Sequence, residues 1–335
     1  MKKELTFEEE TRKERLLVCF NGVFVTAAGV LALRFLHSVF LQQDWLVDGG
    51  ILALLFAGFG DAACVLLPFL VYRFARKQPL LPLFRTPVQS AHPFLRGLVG
   101  VLAVCGLTFV FTAVSSFLVS FSESRGLFVA DTLPTFGSST EEKILYVLLS
   151  VLICGPAYEI AFRGIALEGI REENGICAVL ISAICYGLTN PSLYLMPYRL
   201  ITGILLGFLY LRTRSLLLNI VVQSLSQGLL ALFFVLTDSM PEQQFLLLEY
   251  LGILGAVIGL TATVFLFFPR RPLERGAQPF FSSIVGLLTS FGLWALVLLV
   301  AFSLLLNTFS TEPDPNDPLL DPTPIERPEH PPWYD

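Results

Sequence analysis

Apolar residues in this chain are grouped into long blocks, and this grouping limits the possible folds more than any other feature. A helix of about 20 apolar residues crosses a hydrocarbon core of about 30 Å. Only 15% of the residues are charged, whereas soluble domains contain about 25%. Ten-residue segments of alternating polarity, which are typical of membrane barrels, are absent. Because backbone groups in lipid must be hydrogen-bonded internally, the sequence predicts an all-α, polytopic transmembrane helical bundle.

The apolar blocks predict about nine spans. Their bounds are approximately 16–36, 46–72, 97–121, 143–165, 175–189, 193–211, 215–237, 245–268 and 281–306. The chain then divides into four regions: residues 1–142 with three transmembrane helices, a core over 143–237, two C-terminal helices over 238–306, and a tail over 307–335. The tail is rich in Pro, Asp and Glu and is predicted to be disordered.

Lys and Arg are distributed unevenly between alternate loops. If the N-terminus is cytoplasmic, 16 of the 22 Lys and Arg fall in cytoplasmic segments and two in external ones. Short loops with many positive charges stay on the cytoplasmic side. We therefore predict a multi-pass protein of the inner or plasma membrane, with a cytoplasmic N-terminus and an external tail. No basic stripe interleaved with aromatic residues is present, so the lipid bilayer is the expected partner and nucleic acid is not.

Charged residues inside the predicted spans each require an explanation, because a charge at the bilayer centre costs about 2.5–3.5 kcal/mol on insertion scales. Arg34 lies near the end of its span, which favours a side chain that extends to the membrane surface. Asp61 lies well inside the second span. It is expected to pair with an Arg of another span, and a functional role is the alternative.

The fourth span contains a second buried pair of charges. Glu159 and Arg163 are four residues apart, so they share a helix face and can form an ion pair. Pro156, about one turn earlier, is expected to kink or open the helix. The arrangement predicts a polar pocket within the membrane, with either a structural pair or a catalytic acid or base.

Later spans add further polar side chains. Gln223 and Gln227 are four residues apart and face the same way on the seventh span. If the helices meet, Glu159 is joined by amides and phenols from its own and neighbouring spans, namely Asn190, Gln223, Gln227, Tyr158 and Tyr186. Simple interhelical hydrogen bonding is the alternative role for the amides.

These residues, in this order, resemble the motifs of the CPBP family of intramembrane metalloproteases, the CAAX-protease and bacteriocin-processing group. That family carries Glu-Glu-x-x-x-Arg on one helix, Phe-x-x-x-His on the next, and His-x-x-x-Asn or Asp two helices later. The best match is the stretch 156–164, which includes Glu159 and Arg163, and the run 203–215 is also similar. The resemblance covers about residues 143–235. It implies a zinc-dependent endopeptidase in which Glu159 and Arg163 are catalytic.

The chain departs from these motifs at the positions that would bind metal. The first Glu falls on Tyr158, the Phe and His of the second motif on Tyr186 and Asn190, and the ends of the third motif on Gln223 and Gln227. Zinc in proteins is held by Cys, His and carboxylate side chains. The three His of the chain lie outside the predicted core. Cys154 precedes Glu159 by five residues and so lies on another helix face. We therefore expect no metal and no other cofactor, although the resemblance implies zinc.

Three functions follow from these observations. The first is a non-catalytic relative of the family that binds a lipid, a peptide or a membrane-protein partner in the polar pocket. The second is an active intramembrane endopeptidase, of CAAX type or a related peptide-processing type, that uses altered chemistry. The third is a transporter whose pathway is lined by Asp61, Glu159 and Arg199; the absence of visible internal repeats counts against it.

Overall fold

The computed structural model describes residues 2–41, 50–79, 92–123, 139–172, 174–189, 195–237, 242–267 and 280–308. Every regular element within these ranges is a helix, so the predicted all-α class is confirmed. Three of the helices are long and apolar enough to cross a membrane on their own, and several shorter apolar helices accompany them. Together they form a membrane-type helical bundle.

Ten helices can be followed along the described ranges. They are α1 (Lys2–Leu41), α2 (Ile51–Ala75), α3 (Pro93–Glu123), α4 (Thr140–Arg171), α5 (Gly175–Leu188), α6 (Leu195–Thr213), α7 (Leu216–Thr237), α8 (Glu242–Phe267), α9 (Phe280–Leu288) and α10 (Phe291–Thr308). Within the described residues, each of the first eight predicted spans corresponds to one helix, and the ninth corresponds to two. The predicted tail lies outside the described residues, apart from its first two positions, which end α10.

The ninth predicted span is divided into α9 and α10 by an interhelical contact. Asn21 of α1 accepts hydrogen bonds from the Ser290 hydroxyl at 2.8 Å and from the Gly292 backbone N–H at 2.9 Å. The side chain of Asn21 therefore satisfies backbone and hydroxyl groups that a continuous helix would not present. The division is set by α1, so the apolar pattern of residues 281–306 does not reveal it.

Helix α4 is central to the bundle and is irregular. The Ser139 hydroxyl caps its start by accepting a hydrogen bond from the Glu142 backbone N–H. Two π-helical segments, Ser150–Cys154 and Ile160–Leu167, lie on either side of the turn that contains Pro156 and Glu159. Proline cannot donate a backbone hydrogen bond, and the π segments accommodate that loss without ending the helix. Such segments occur frequently at functional sites.

Small residues bring the helices close together. A Cβ atom added to Gly106 of α3 would lie 2.1 Å from the Ala256 Cα of α8. A Cβ added to Gly155 of α4 would lie 2.8 Å from the Ser224 Cα of α7. Close approach at small residues is the usual basis of helix association in membranes, where apolar burial gives little net gain. The contact at Gly155 holds α7 against the turn of α4 that carries Glu159.

Candidate functional site

Glu159 and Arg163 form an ion pair in the interior of the bundle, as their spacing on α4 predicts. Glu159 Oε1 lies 2.9 Å from Arg163 Nη1, and neither side chain is exposed. Arg163 also donates to the Gly203 carbonyl of α6 at 3.2 Å. The guanidinium carbon lies 4.8 Å from the ring centroid of Tyr186 of α5, which is a cation–π distance. Three helices therefore enclose the pair.

Helix α7 completes the surroundings of the pair with two amides. Asn219 donates to Glu159 Oε2 at 3.2 Å and to the Leu206 carbonyl at 2.8 Å. Gln223, one turn later, donates to the Tyr186 hydroxyl at 2.9 Å. Both amide side chains are buried. Gln223 thus lies beside the pair as predicted, whereas Asn219, which touches Glu159 directly, was not among the predicted site residues.

The spacing of polar residues on α7 indicates that Asn219 is a site residue. Asn219 precedes Gln223 by four residues, so Asn219, Gln223 and Gln227 form one polar stripe on the helix. Gln227 is half-buried at the far end of this stripe. The predicted participation of Asn190 concerns a position outside the described residues.

A second polar cluster adjoins the first through Tyr158. The Tyr158 hydroxyl donates to Asp61 Oδ2 at 2.6 Å, and Arg34 Nη2 lies 2.6 Å from Asp61 Oδ1. Arg34 also donates to the Tyr158 hydroxyl and, at 2.6 Å, to the Thr189 carbonyl. The expected pairing of Asp61 with an arginine of another span is confirmed. The expectation that Arg34 extends to the membrane surface is wrong, because its partners lie within the bundle and its side chain is only 12% exposed.

Arg199 of α6 lies between the two clusters. Its guanidinium carbon is 5.3 Å from the ring centroid of Tyr158 and 5.7 Å from that of Tyr186. The Arg199 side chain also donates to the Tyr158 hydroxyl at 3.4 Å. The rings of Tyr158 and Tyr186 meet edge to face, with centroids 5.7 Å apart. We call the combined set the polar core; its members are Arg34, Asp61, Tyr158, Glu159, Arg163, Tyr186, Arg199, Asn219 and Gln223.

Two amide oxygens of the polar core have no partner. Among the described residues, neither Asn219 Oδ1 nor Gln223 Oε1 has a hydrogen-bond partner, although both are buried. Glu159 Oε1 is likewise buried without a hydrogen bond, but it faces Arg163 in the ion pair. A buried acceptor without a donor costs about 1–3 kcal/mol. The amide nitrogens of the same side chains are engaged, which orients both carbonyl oxygens. These oxygens can accept hydrogen bonds from an additional group.

The donor set of the polar core does not fit zinc. Glu159 is the carboxylate of the polar core that matches the family motif. Its Oε1 atom is ion-paired with Arg163, and its Oε2 atom accepts a hydrogen bond from Asn219. Gln223 presents an amide where the resemblance implies an imidazole. Within the described ranges, no group of three or more His, Cys, Asp or Glu side chains could hold a metal ion. Zinc requires several imidazole, thiolate or carboxylate ligands.

Comparison with known proteins supports the resemblance found in the sequence. Residues 140–229 match the model of the family described as type II CAAX prenyl endopeptidase Rce1-like. The match is consistent with a member of the CPBP/CAAX protease family and covers α4 to α7, the helices that carry most of the polar core. Searches of curated proteins and of solved structures found no match.

Proposed function

We propose that this CAAX-protease-like membrane protein is a non-catalytic binding protein, and that its polar core receives part of a lipid, a peptide or a membrane-protein partner. The proposal rests on the surroundings of the Glu159 carboxylate. Its carboxylate is buried, ion-paired to Arg163 at 2.9 Å and hydrogen-bonded by Asn219. A general base needs a free lone pair within reach of the proton that it removes. Glu159 directs its oxygens at protein groups instead.

The unused acceptors indicate what kind of group the polar core receives. Asn219 Oδ1 and Gln223 Oε1 accept hydrogen bonds and cannot donate them. A matching ligand group therefore carries an N–H or O–H donor. Because Arg34 Nε and Arg163 Nε are buried donors without a hydrogen-bond partner in the described part of the chain, a group that also offers an acceptor, such as a peptide amide or a lipid hydroxyl, fits the polar core. In a low-dielectric interior such a bond is stronger than in water, so two acceptors suffice to select a donor over an apolar group.

Metal content and peptide cleavage together test the non-catalytic assignment. The protein is purified in a neutral detergent, its zinc content is measured by mass spectrometry, and hydrolysis of a prenylated CAAX peptide is followed. Wild type, Glu159→Gln and the matched control Glu168→Gln are compared. Glu168 lies on the same helix, paired with Arg171. We expect zinc well below one ion per chain and the same background hydrolysis in all three proteins. Stoichiometric zinc with cleavage that only Glu159→Gln abolishes would overturn the proposal.

A separate measurement tests binding. Native mass spectrometry of protein extracted from its membranes reports molecules that remain attached. Gln223→Leu keeps the approximate side-chain volume and removes one unused acceptor, whereas Leu225→Ala, on the exposed face of α7, serves as the control. We expect Gln223→Leu to lose an attached lipid or peptide that wild type and Leu225→Ala retain. Identical spectra for all three proteins would contradict binding in the polar core.

An active endopeptidase with altered chemistry is the second candidate. The observations in its favour are the family match over residues 140–229 and the presence of Glu159 and Arg163 at the motif positions. This candidate requires that Glu159 leave its pair with Arg163 during the reaction. It predicts cleavage that both Glu159→Gln and Arg163→Gln abolish while the folded protein persists.

A further inference from the structure

Helices α4 and α7 enclose an apolar cleft that the polar core and the proposed function do not use. The cleft has a volume of about 300 Å³. Its apolar lining consists of Ile144, Val147 and Leu148 from α4 and of Leu232 and Val235 from α7. Two polar residues of α4, Thr140 and Lys143, line one end of it. We call this space the α4–α7 cleft.

The cleft follows from the distribution of glycine along the two antiparallel helices. A Cβ added to Gly228 of α7 would lie 2.4 Å from Val151 Cγ2 of α4, one turn beyond the contact of Gly155 with Ser224. Close packing at these glycines closes the inner end of the cleft. The next two turns, 140–149 of α4 and 229–237 of α7, contain no glycine. The larger side chains there keep the helices apart, and the cleft lies between them.

The size of the cleft selects a single hydrocarbon chain over a helix. The lining of α4 extends from Thr140 to Leu148, which corresponds to a length of about 12 Å at about 1.5 Å per residue. A partner helix about 10 Å across would occupy about 900 Å³ over this length, about three times the volume of the cleft. A hydrocarbon chain about 4.5 Å wide, as carbon contact distances imply, occupies about 200 Å³. One extended chain therefore fits, whereas a helix of a partner or of a second copy does not.

The polarity of the cleft runs in the same direction as that of a phospholipid. Its polar end lies where α4 begins, at Thr140, and α7 ends, at Thr237, and its inner end is apolar. Its length of about 12 Å lies within one leaflet, whose hydrocarbon is about 15 Å thick. Ile144, Leu148 and Leu232 are between 41% and 56% exposed, so the cleft opens sideways towards the bilayer. An acyl chain can therefore enter from the same leaflet with its head group at the membrane surface.

We propose that the α4–α7 cleft binds one acyl chain of a phospholipid from the leaflet at the start of α4, which the loop charges predict to be the external one. The chain supplies the van der Waals contacts that the lining of an empty cleft lacks on one side. Lys143 follows Glu141 and Glu142, so the mouth of the cleft carries both signs of charge and does not select an anionic head group. The site requires no group of the polar core, so it can be tested separately from the proposed function.

Photolabelling tests the proposal. The intact protein is delipidated in a neutral detergent, mixed with phosphatidylcholine that carries a diazirine near the end of one acyl chain, and irradiated; the adducts are mapped by peptide mass spectrometry. Leu232→Trp fills the cleft, and Leu229→Trp is the matched control because Leu229 is exposed on the same helix but does not line the cleft. We expect adducts on the lining residues of wild type and of Leu229→Trp, and their loss in Leu232→Trp. Phosphatidylglycerol with the same labelled chain should give the same adducts.

Two further variants separate this site from folding and from the polar core. Val147→Phe fills the cleft from α4, so it should also lose the adducts, and an unchanged thermal midpoint for either filling variant shows that the protein remains folded. Gln223→Leu should keep the adducts, because Gln223 does not line the cleft. Equal labelling of the lining in wild type and in both filling variants would overturn the proposal. So would equal labelling of the lining and of exposed residues elsewhere, such as Tyr250 of α8. The absence of cleft adducts from wild type, whether the cleft is empty or covered by a second copy, would overturn it as well.

Discussion

The ion pair between Glu159 and Arg163 provides the most direct test of the structure. Both side chains are fully buried, so removal of one partner leaves the other charge without compensation. Breaking a buried pair in this way typically costs about 3–5 kcal/mol, whereas replacing both partners by apolar groups of similar volume is often neutral or stabilising. We therefore expect a large penalty for each single substitution. The double variant should lose less than the sum of the two single penalties, because it leaves no uncompensated buried charge.

The remaining contacts distinguish the two single substitutions. After Glu159→Gln, Arg163 still donates to the Gly203 carbonyl and faces the Tyr186 ring, so the expected loss in free energy of unfolding is about 3 kcal/mol. After Arg163→Met, the Glu159 carboxylate retains only the Asn219 side chain as a donor, so the expected loss in free energy of unfolding is about 5 kcal/mol.

A double-mutant cycle measures this coupling. The free energy of unfolding is determined in mixed micelles by denaturant titration for wild type, Glu159→Gln, Arg163→Met and the double variant. Glu168→Gln breaks a pair whose side chains are each 25% exposed, and it should cost no more than about 1 kcal/mol. The proposed energetics of the buried pair would be refuted if each single variant had a free energy of unfolding within about 1 kcal/mol of wild type. A double variant less stable than both single variants would refute them as well.

Two further predictions concern packing and hydrogen bonding. Tyr158→Phe removes the hydroxyl that donates to Asp61 at 2.6 Å, and we expect a loss of about 1–3 kcal/mol in unfolding free energy; an unchanged thermal midpoint would contradict the hydrogen bond. Gly106→Ala places a methyl group 2.1 Å from the Ala256 Cα, so α3 and α8 must separate, at a cost of about 1–3 kcal/mol. Gly169→Ala is the control, since no atom lies within 4 Å of the added Cβ. Equal thermal midpoints for the two alanine variants would show that the α3–α8 contact is not close.

The sequence determined the helical membrane class and the local geometry of the site. Apolar blocks of spanning length leave a helix as the element that can satisfy its own backbone in lipid. Within the described residues, each of the first eight predicted spans corresponds to one helix and the ninth to two. Glu159 and Arg163 are four residues apart, and a helix places such residues together whatever else surrounds them. Both conclusions rest on interactions within a single helix.

Only the tertiary structure decided which partners the buried polar groups have. Arg34 joins Asp61 and Tyr158, although 124 residues separate Arg34 from Tyr158 in the chain. Asn219 meets Glu159 because close packing at Gly155 holds α7 against α4. Spacing along one helix indicates which residues share a face, but it does not indicate which face of another helix lies opposite. That choice depends on the packing of small residues between helices, which is a property of the whole bundle.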